Sequence, residues 1–160
     1  MPQGIVKPSN QVLALDLGSR VVEMKVGATA TAAQMVPGRA VIFDNVDQTI
    51  KEAGAKAKQI VGVLEVDPAK TKTTAYAVGD MAKVIVGHFL AAVTLLASEN
   101  VTRGDSLVTA ASGKFAKQAV GAMGAQGGVV GKSYESSNVT VDATILVEIS
   151  TSGADAAAAS

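Results

Sequence analysis

Residues 100–150 read NVTRGDSLVTAASGKFAKQAVGAMGAQGGVVGKSYESSNVTVDATILVEIS, and the punctuation of this stretch decides the fold class. Short runs rich in β-branched residues, at 106–110, 129–134 and 144–149, are separated by polar breaks that carry glycine. That is the pattern of small antiparallel strands joined by tight turns. Arg103-Gly104-Asp105 is one such break, set between the apolar Val101 and Leu107, and Gly104 can take the positive φ that a tight turn requires. Ser112-Gly113-Lys114 repeats the device one strand later. In the last run Ile145, Val147 and Ile149 alternate with Thr144, Leu146 and Glu148, so one face is uniformly aliphatic and the strand closes a sheet over a core.

Working outward, the segment before this stretch has the same layout. Residues 35–42, with a turn at Gly38, match residues 100–108. IVGVLE at 60–65 answers VVGKSYE at 129–135, with Gly62 and Gly131 in equivalent places before a strand that ends in a carboxylate. Residues 82–86 answer 143–147. Three matched elements in one order imply two related β-subunits, spanning 28–86 and 89–150, packed into a single body over 11–150. The first unit also carries DQTIKEAGAKAKQ at 47–59, whose composition predicts one or two helical turns with Asp47 as N-cap, made marginal by Gly54. The longest apolar run, MAKVIVGHFLAAVTLLA at 81–97, falls short of about 20 residues and contains Lys83 and His88, which argues against a membrane span. It reads as two strands broken at Gly87-His88.

The chain has 160 residues, in the single-domain range, and 48% of them are apolar, enough for a sizeable core. With no Trp, three Phe and two Tyr, that core is aliphatic. Formal net charge is zero and no basic stripe or acidic block appears, so neither nucleic acid nor an anionic membrane is an expected partner. The absence of cysteine removes disulfides and thiolate chemistry together. Charged residues make up 18%, below the usual quarter, which points to surface that meets other protein. Residues 1–10, MPQGIVKPSN, hold two prolines and a glycine and no apolar core; they read as an extended arm and not as a signal peptide. The tail at 151–160 is alanine-rich and too short for a helix that stands alone.

Chemistry-bearing constellations are sparse. One histidine, His88, cannot supply the usual nucleophile or metal sets, and it reads as a turn residue. Gly113-Lys114 and Gly131-Lys132 lack the preceding glycine of a phosphate loop. Glu65, Asp67 and Asp80 resemble a metal cluster only on paper, since Asp67-Pro68 and Gly79-Asp80 are ordinary turn chemistry. No catalytic, cofactor or metal residue is therefore assigned. Arg103-Gly104-Asp105 matches an integrin-binding tripeptide, but an aspartate at a turn explains it fully.

Taken in order, Tyr76-Ala77-Val78-Gly79-Asp80, the run to Val86, the apolar strand to Leu96, Asn100 to Val108 with its Gly104-Asp105 turn, Ser112-Gly113-Lys114, and Val130-Gly131-Lys132-Ser133-Tyr134-Glu135 resemble the head decoration proteins of tailed bacteriophages and archaeal tailed viruses. The resemblance covers about half the chain, from Ala75 onward; Ser133 stands where a small alanine is usual. It implies a mainly β fold, a compact antiparallel barrel or tulip-like body with at most one short helix. It implies also a structural, non-enzymatic cement protein on the outer surface of a mature capsid, commonly a homotrimer, with the major capsid protein as partner and no cofactor. The arm residues Ile5, Val6, Lys7 and Pro8 are the expected capsid contact; Gly38, Gly62, Gly79, Asp80, Gly104, Asp105, Gly113 and Gly131 are the expected structural turn residues. The rival classes are another virion β-module, of the tail or ligand-binding, and a trimeric nucleotide hydrolase, whose clustered acid and basic motifs are missing.

Overall fold

A computed structural model describes residues 7–119 and 128–151. Among them the strands are β1 (Leu13–Val26), β2 (Ala40–Phe43), β3 (Thr49–Glu52), β4 (Gly62–Leu64), β5 (Met81–Leu95), β6 (Asn100–Val101), β7 (Ser106–Thr109), β8 (Phe115–Lys117), β9 (Gly131–Ser133), β10 (Ser137–Asn138) and β11 (Ala143–Ser150). The only helical elements among the described residues are two single 3-10 turns, Ala32–Gln34 and Ala111–Gly113. The fold is mainly β, as the glycine-punctuated runs predict.

Nine strands form one mixed sheet in the order β1-β3-β2-β4-β5-β11-β9-β7-β8, and β5 also pairs with β1 and with β8. These extra pairings bring both ends of the strand order back to β5, where β1 and β8 share one edge and β4 and β11 the other. The β1–β3 and β5–β8 pairings are parallel and the rest antiparallel, where the sequence predicted antiparallel strands throughout. β6 and β10 make a separate two-stranded ribbon.

β5 organises the core because both of its faces are apolar. Ala82 and Val84 point into one cluster with Val26, Met35, Val41, Ile50, Leu64 and Tyr76. Ile85, Phe89, Ala91, Val93 and Leu95 point the other way, into a larger cluster with Leu107, Phe115, Ile145, Val147 and Ile149, to which Ala40 and Val63 of the first half also belong. Each Val, Leu, Ile, Phe or Met among them contributes roughly 1.5–3 kcal/mol on burial. The aliphatic face read in residues 145–149 is thus the wall of the larger core.

Two expectations are corrected, and one strand was not foreseen. The chain does not break at Gly87-His88: β5 runs through it, because β1 and β11 pair on either side, Ser19 with Gly87 and Ser150 with His88. Gly87 absorbs the local bend at φ +101 opposite a bulge in β1. Residues 47–59 contain no helix; Thr49–Glu52 is a strand between β2 and β1, since Ile50, with no exposed surface, is needed in the smaller core. Asp47 caps nothing helical and lies in the hairpin turn with Gln48 at φ +60. Finally, β1 itself, fourteen residues long, was hidden in the sequence by its Asp16-to-Ser19 bulge, where the Asp16 carboxylate accepts the amides of Gly18 and Ser19.

Candidate interaction surfaces

The arm enters the described structure at Lys7, and its root belongs to the body. Lys7 Nζ donates to the Thr144 carbonyl at 2.7 Å and lies 3.0 Å from Glu135 Oε2. That carboxylate oxygen also accepts the Leu146 amide, so Glu135 ties the root to β11. Further on, Asn10 Oδ1 accepts the Lys72 amide and both Glu65 oxygens accept the amides of Val12 and Leu13. Burial pushes the Lys72 ammonium down, Glu65 opposes that, and the like charge of Lys7 adds to it. Of the four expected contact residues, Lys7 is exposed and Pro8 half-buried, while Ile5 and Val6 lie outside the described residues, as do residues 152–160 of the tail.

The turn residues fall in two groups. Gly38, Gly79, Gly104 and Gly113 have positive φ, which suits glycine in tight turns. Gly62 and Gly131 sit inside strands and are required for a different reason. A Cβ on Gly62 would lie 2.1 Å from the Ile85 carbonyl oxygen, and one on Gly131 would lie 2.7 Å from Val147 Cγ1 and 2.8 Å from the Glu148 carbonyl oxygen. Asp80 accepts the Ala77 amide across its turn. Asp105 accepts the Thr102 amide and the Lys117 ammonium, both at 2.8 Å; the Lys117 hydrogen bond, then the amide, hold its carboxyl below the usual range. The Arg103-Gly104-Asp105 carboxylate is thus already engaged within the fold, as a turn residue should be.

The carboxylates Glu65, Asp67 and Asp80 do not converge on a metal site; Glu65 is spent on backbone amides, and no group of three or more acidic or histidine side chains among the described residues has metal-binding geometry. His88 is no turn residue. It lies in mid-strand with its Nε2 2.7 Å from Glu148 Oε1, a cross-strand pair on the outer face. No described helix is long and apolar enough to cross a membrane.

What the surface does offer is apolar side chains and an open sheet edge. Phe43 (62% exposed) and Val46 crown the β2–β3 hairpin, Val139 and Val141 (66%) the loop into β11, Val78 and Met81 the turn into β5, and Leu15, Leu17 and Val21 line β1. A cleft of about 210 Å³ opens beside Phe43, lined also by Ile42, Gln59, Ile60, Val61 and Thr151. Sequence reasoning missed these positions because scattered aliphatic residues on short strands look alike whether they face in or out. These side chains and the open edge are features that could meet another protein.

Comparison with known proteins agrees with that class. A family model, XM1 gp53 minor capsid protein, matches residues 10–151. The chain belongs to this family of phage minor capsid proteins, and is therefore a structural, head-associated virion protein. No curated protein matches the sequence. Among solved structures, the head fiber gp8.5 N base of bacteriophage phi29 is similar at 14% identity and a TM-score of 0.48, over 83% of this chain and 95% of that one.

Proposed function

We propose that this minor capsid protein is a decoration protein: it binds the outer surface of the mature head as a homotrimer and stabilises the shell through contacts with the major capsid protein. The observation that carries the reading is the family membership over residues 10–151, joined to a surface rich in exposed aliphatic side chains and poor in charge. A protein that binds only the expanded shell stabilises that state by mass action, and weak contacts repeated across a lattice sum to a large effect. No catalytic step is needed. We propose further that Ile5 and Val6, beyond the fastened Lys7, add apolar contacts to a capsid strand edge.

The test is particle imaging with and without the protein, combined with heat challenge of the heads. Density on the outer head surface, and heads that rupture at lower temperature when the protein is missing, are the expected results. Density on the tail would reject the reading in favour of another virion β-module.

A further inference from the structure

β1 is an edge strand over most of its length. It pairs with β5 from Leu13 to Lys25, but its opposite side meets β3 only at Lys25 and Val26. In an antiparallel ladder successive residues turn their backbone groups to alternate sides. Val26 donates to Asp80 and accepts from Gly79 on the β5 side, whereas the Gly27 amide reaches Ile50 of β3. Counting back, Ser19, Val21 and Glu23 direct their amides and carbonyls away from β5, and among the described residues none has a backbone partner there. Proteins usually blunt such an edge, because it is a template for another strand. Here the Asp16-to-Ser19 bulge blunts the edge at one end, but from Ser19 onward the blunting is slight: Glu23 is matched within the chain by Lys83 at 3.5 Å, while Val21 stands 46% exposed.

The edge also carries a charge. Arg20 is exposed and has no ion-pair partner among the described residues. With Glu23 engaged, the open stretch presents one unmatched guanidinium beside an aliphatic side chain. A second copy of β1 suits it poorly. Among the antiparallel registers that align the outward backbone groups, those centred on Arg20 or Glu23 would set two copies of that charge directly opposite, and those centred on Val21 or Val22 would set two Arg20 or two Glu23 on the diagonal within reach of each other, where like charges repel. We propose that the open edge of β1, from Ser19 to Glu23, takes up an extended segment of the major capsid protein as an added strand, with a carboxylate opposite Arg20 and an aliphatic side chain against Val21. The inference rests on the capsid reading above and names the surface of the body that does the docking.

The experiment measures binding of purified protein to purified heads assembled without it, alongside the melting temperature and solution mass of each variant. Val21→Pro removes the outward amide and places the ring where a partner carbonyl would come; proline is tolerated at sheet edges. Val21→Ala keeps the amide. Arg20→Glu leaves the backbone alone and reverses the charge. Expected is a loss of at least about tenfold in affinity for Val21→Pro and roughly tenfold for Arg20→Glu, larger at low salt, with Val21→Ala close to wild type and mass unchanged. Should Val21→Pro melt early, Arg20→Glu decides the matter alone. Wild-type binding by both Val21→Pro and Arg20→Glu overturns the inference, and so does a change in solution mass, which would make the edge a contact between copies. Failure of the wild-type protein to bind heads would instead sink the capsid reading itself.

Discussion

Gly62 is a residue at which a single methyl group should do great harm. Its strand, β4, is clamped between β2 and β5, with Val41 opposite Gly62 and Val63 opposite Ile85. In Gly62→Ala the new Cβ would start 2.1 Å from the Ile85 carbonyl oxygen and 2.7 Å from Val84 Cγ1. Relief to ordinary contact needs a movement of about 1 Å in the backbone of β5, whose two faces are packed into two cores, so overpacking should cost about 3 kcal/mol or more. Gly131→Ala meets a side-chain methyl first and a carbonyl at 2.8 Å, and should cost about 2 kcal/mol. Gly104→Ala meets nothing within 4 Å, so only the strain of φ +94 remains, about 1 kcal/mol. Urea unfolding of the three variants at neutral pH gives the order directly. If Gly62→Ala were no less stable than Gly104→Ala, the account of β4 packed directly on the β5 backbone would be refuted.

Three further outcomes are expected. Tyr76 is 2% exposed, donates to the Glu65 carbonyl at 2.7 Å, and has its phenol pushed up to about 12 by burial. The fold thus favours the neutral phenol, and its contribution is full below pH ~10 and lost as the pH climbs from about 10 to about 12, some 2–3 kcal/mol in all. Tyr76→Phe should cost about 1 kcal/mol at pH 7 and remove that alkaline decline, and an equally steep decline in the variant would show the assignment wrong. Deleting residues 1–6 should lower head occupancy without altering the melting temperature; a lower melting point with full occupancy would place the arm's role within the molecule. Mass measurement at micromolar concentration should give a trimer, and a stable dimer both in solution and on the particle would exclude it.

What was legible in the sequence and what was not divides along physical lines. Residues 106–110 and 144–149 announced themselves because β-branched alternation and flanking turns agreed with the final packing, giving β7 and β11 nearly to the residue. Residues 49–52 did not, because Lys, Glu, Ala and Gln around them favour helix and only the burial of Ile50 between β1 and β2 overrules that preference. Gly87 looked like a stop, yet neighbours on both sides supply the ladder that carries β5 through it. The fastening of Lys7 to Thr144 and Glu135 spans more than 120 residues of chain, and nothing local could have revealed it. The open edge of β1 was equally hidden, since an edge is defined by a strand that does not come.

The strand order carries one more consequence. Read outward from the β5–β11 pair, one side runs β5-β4-β2-β3 and the other β11-β9-β7-β8, with a β1–β3 parallel contact matched by a β5–β8 one. Segments that match in sequence, such as those holding Gly62 and Gly131, occupy equivalent places in this order, and descent of the two halves from one duplicated unit is our proposal for it. The halves are nevertheless not separable bodies. β5 ends the first and begins the second, and the larger core mixes Ala40, Val63 and Ile85 with Phe89, Leu107 and Phe115. Removing either half would expose those side chains and leave part of β5 without partners on both of its edges. Unfolding should therefore be a single cooperative transition in which calorimetric and van't Hoff enthalpies agree. Two resolved transitions, with the smaller core melting apart from the larger, would show that β5 links two independent units instead of joining them.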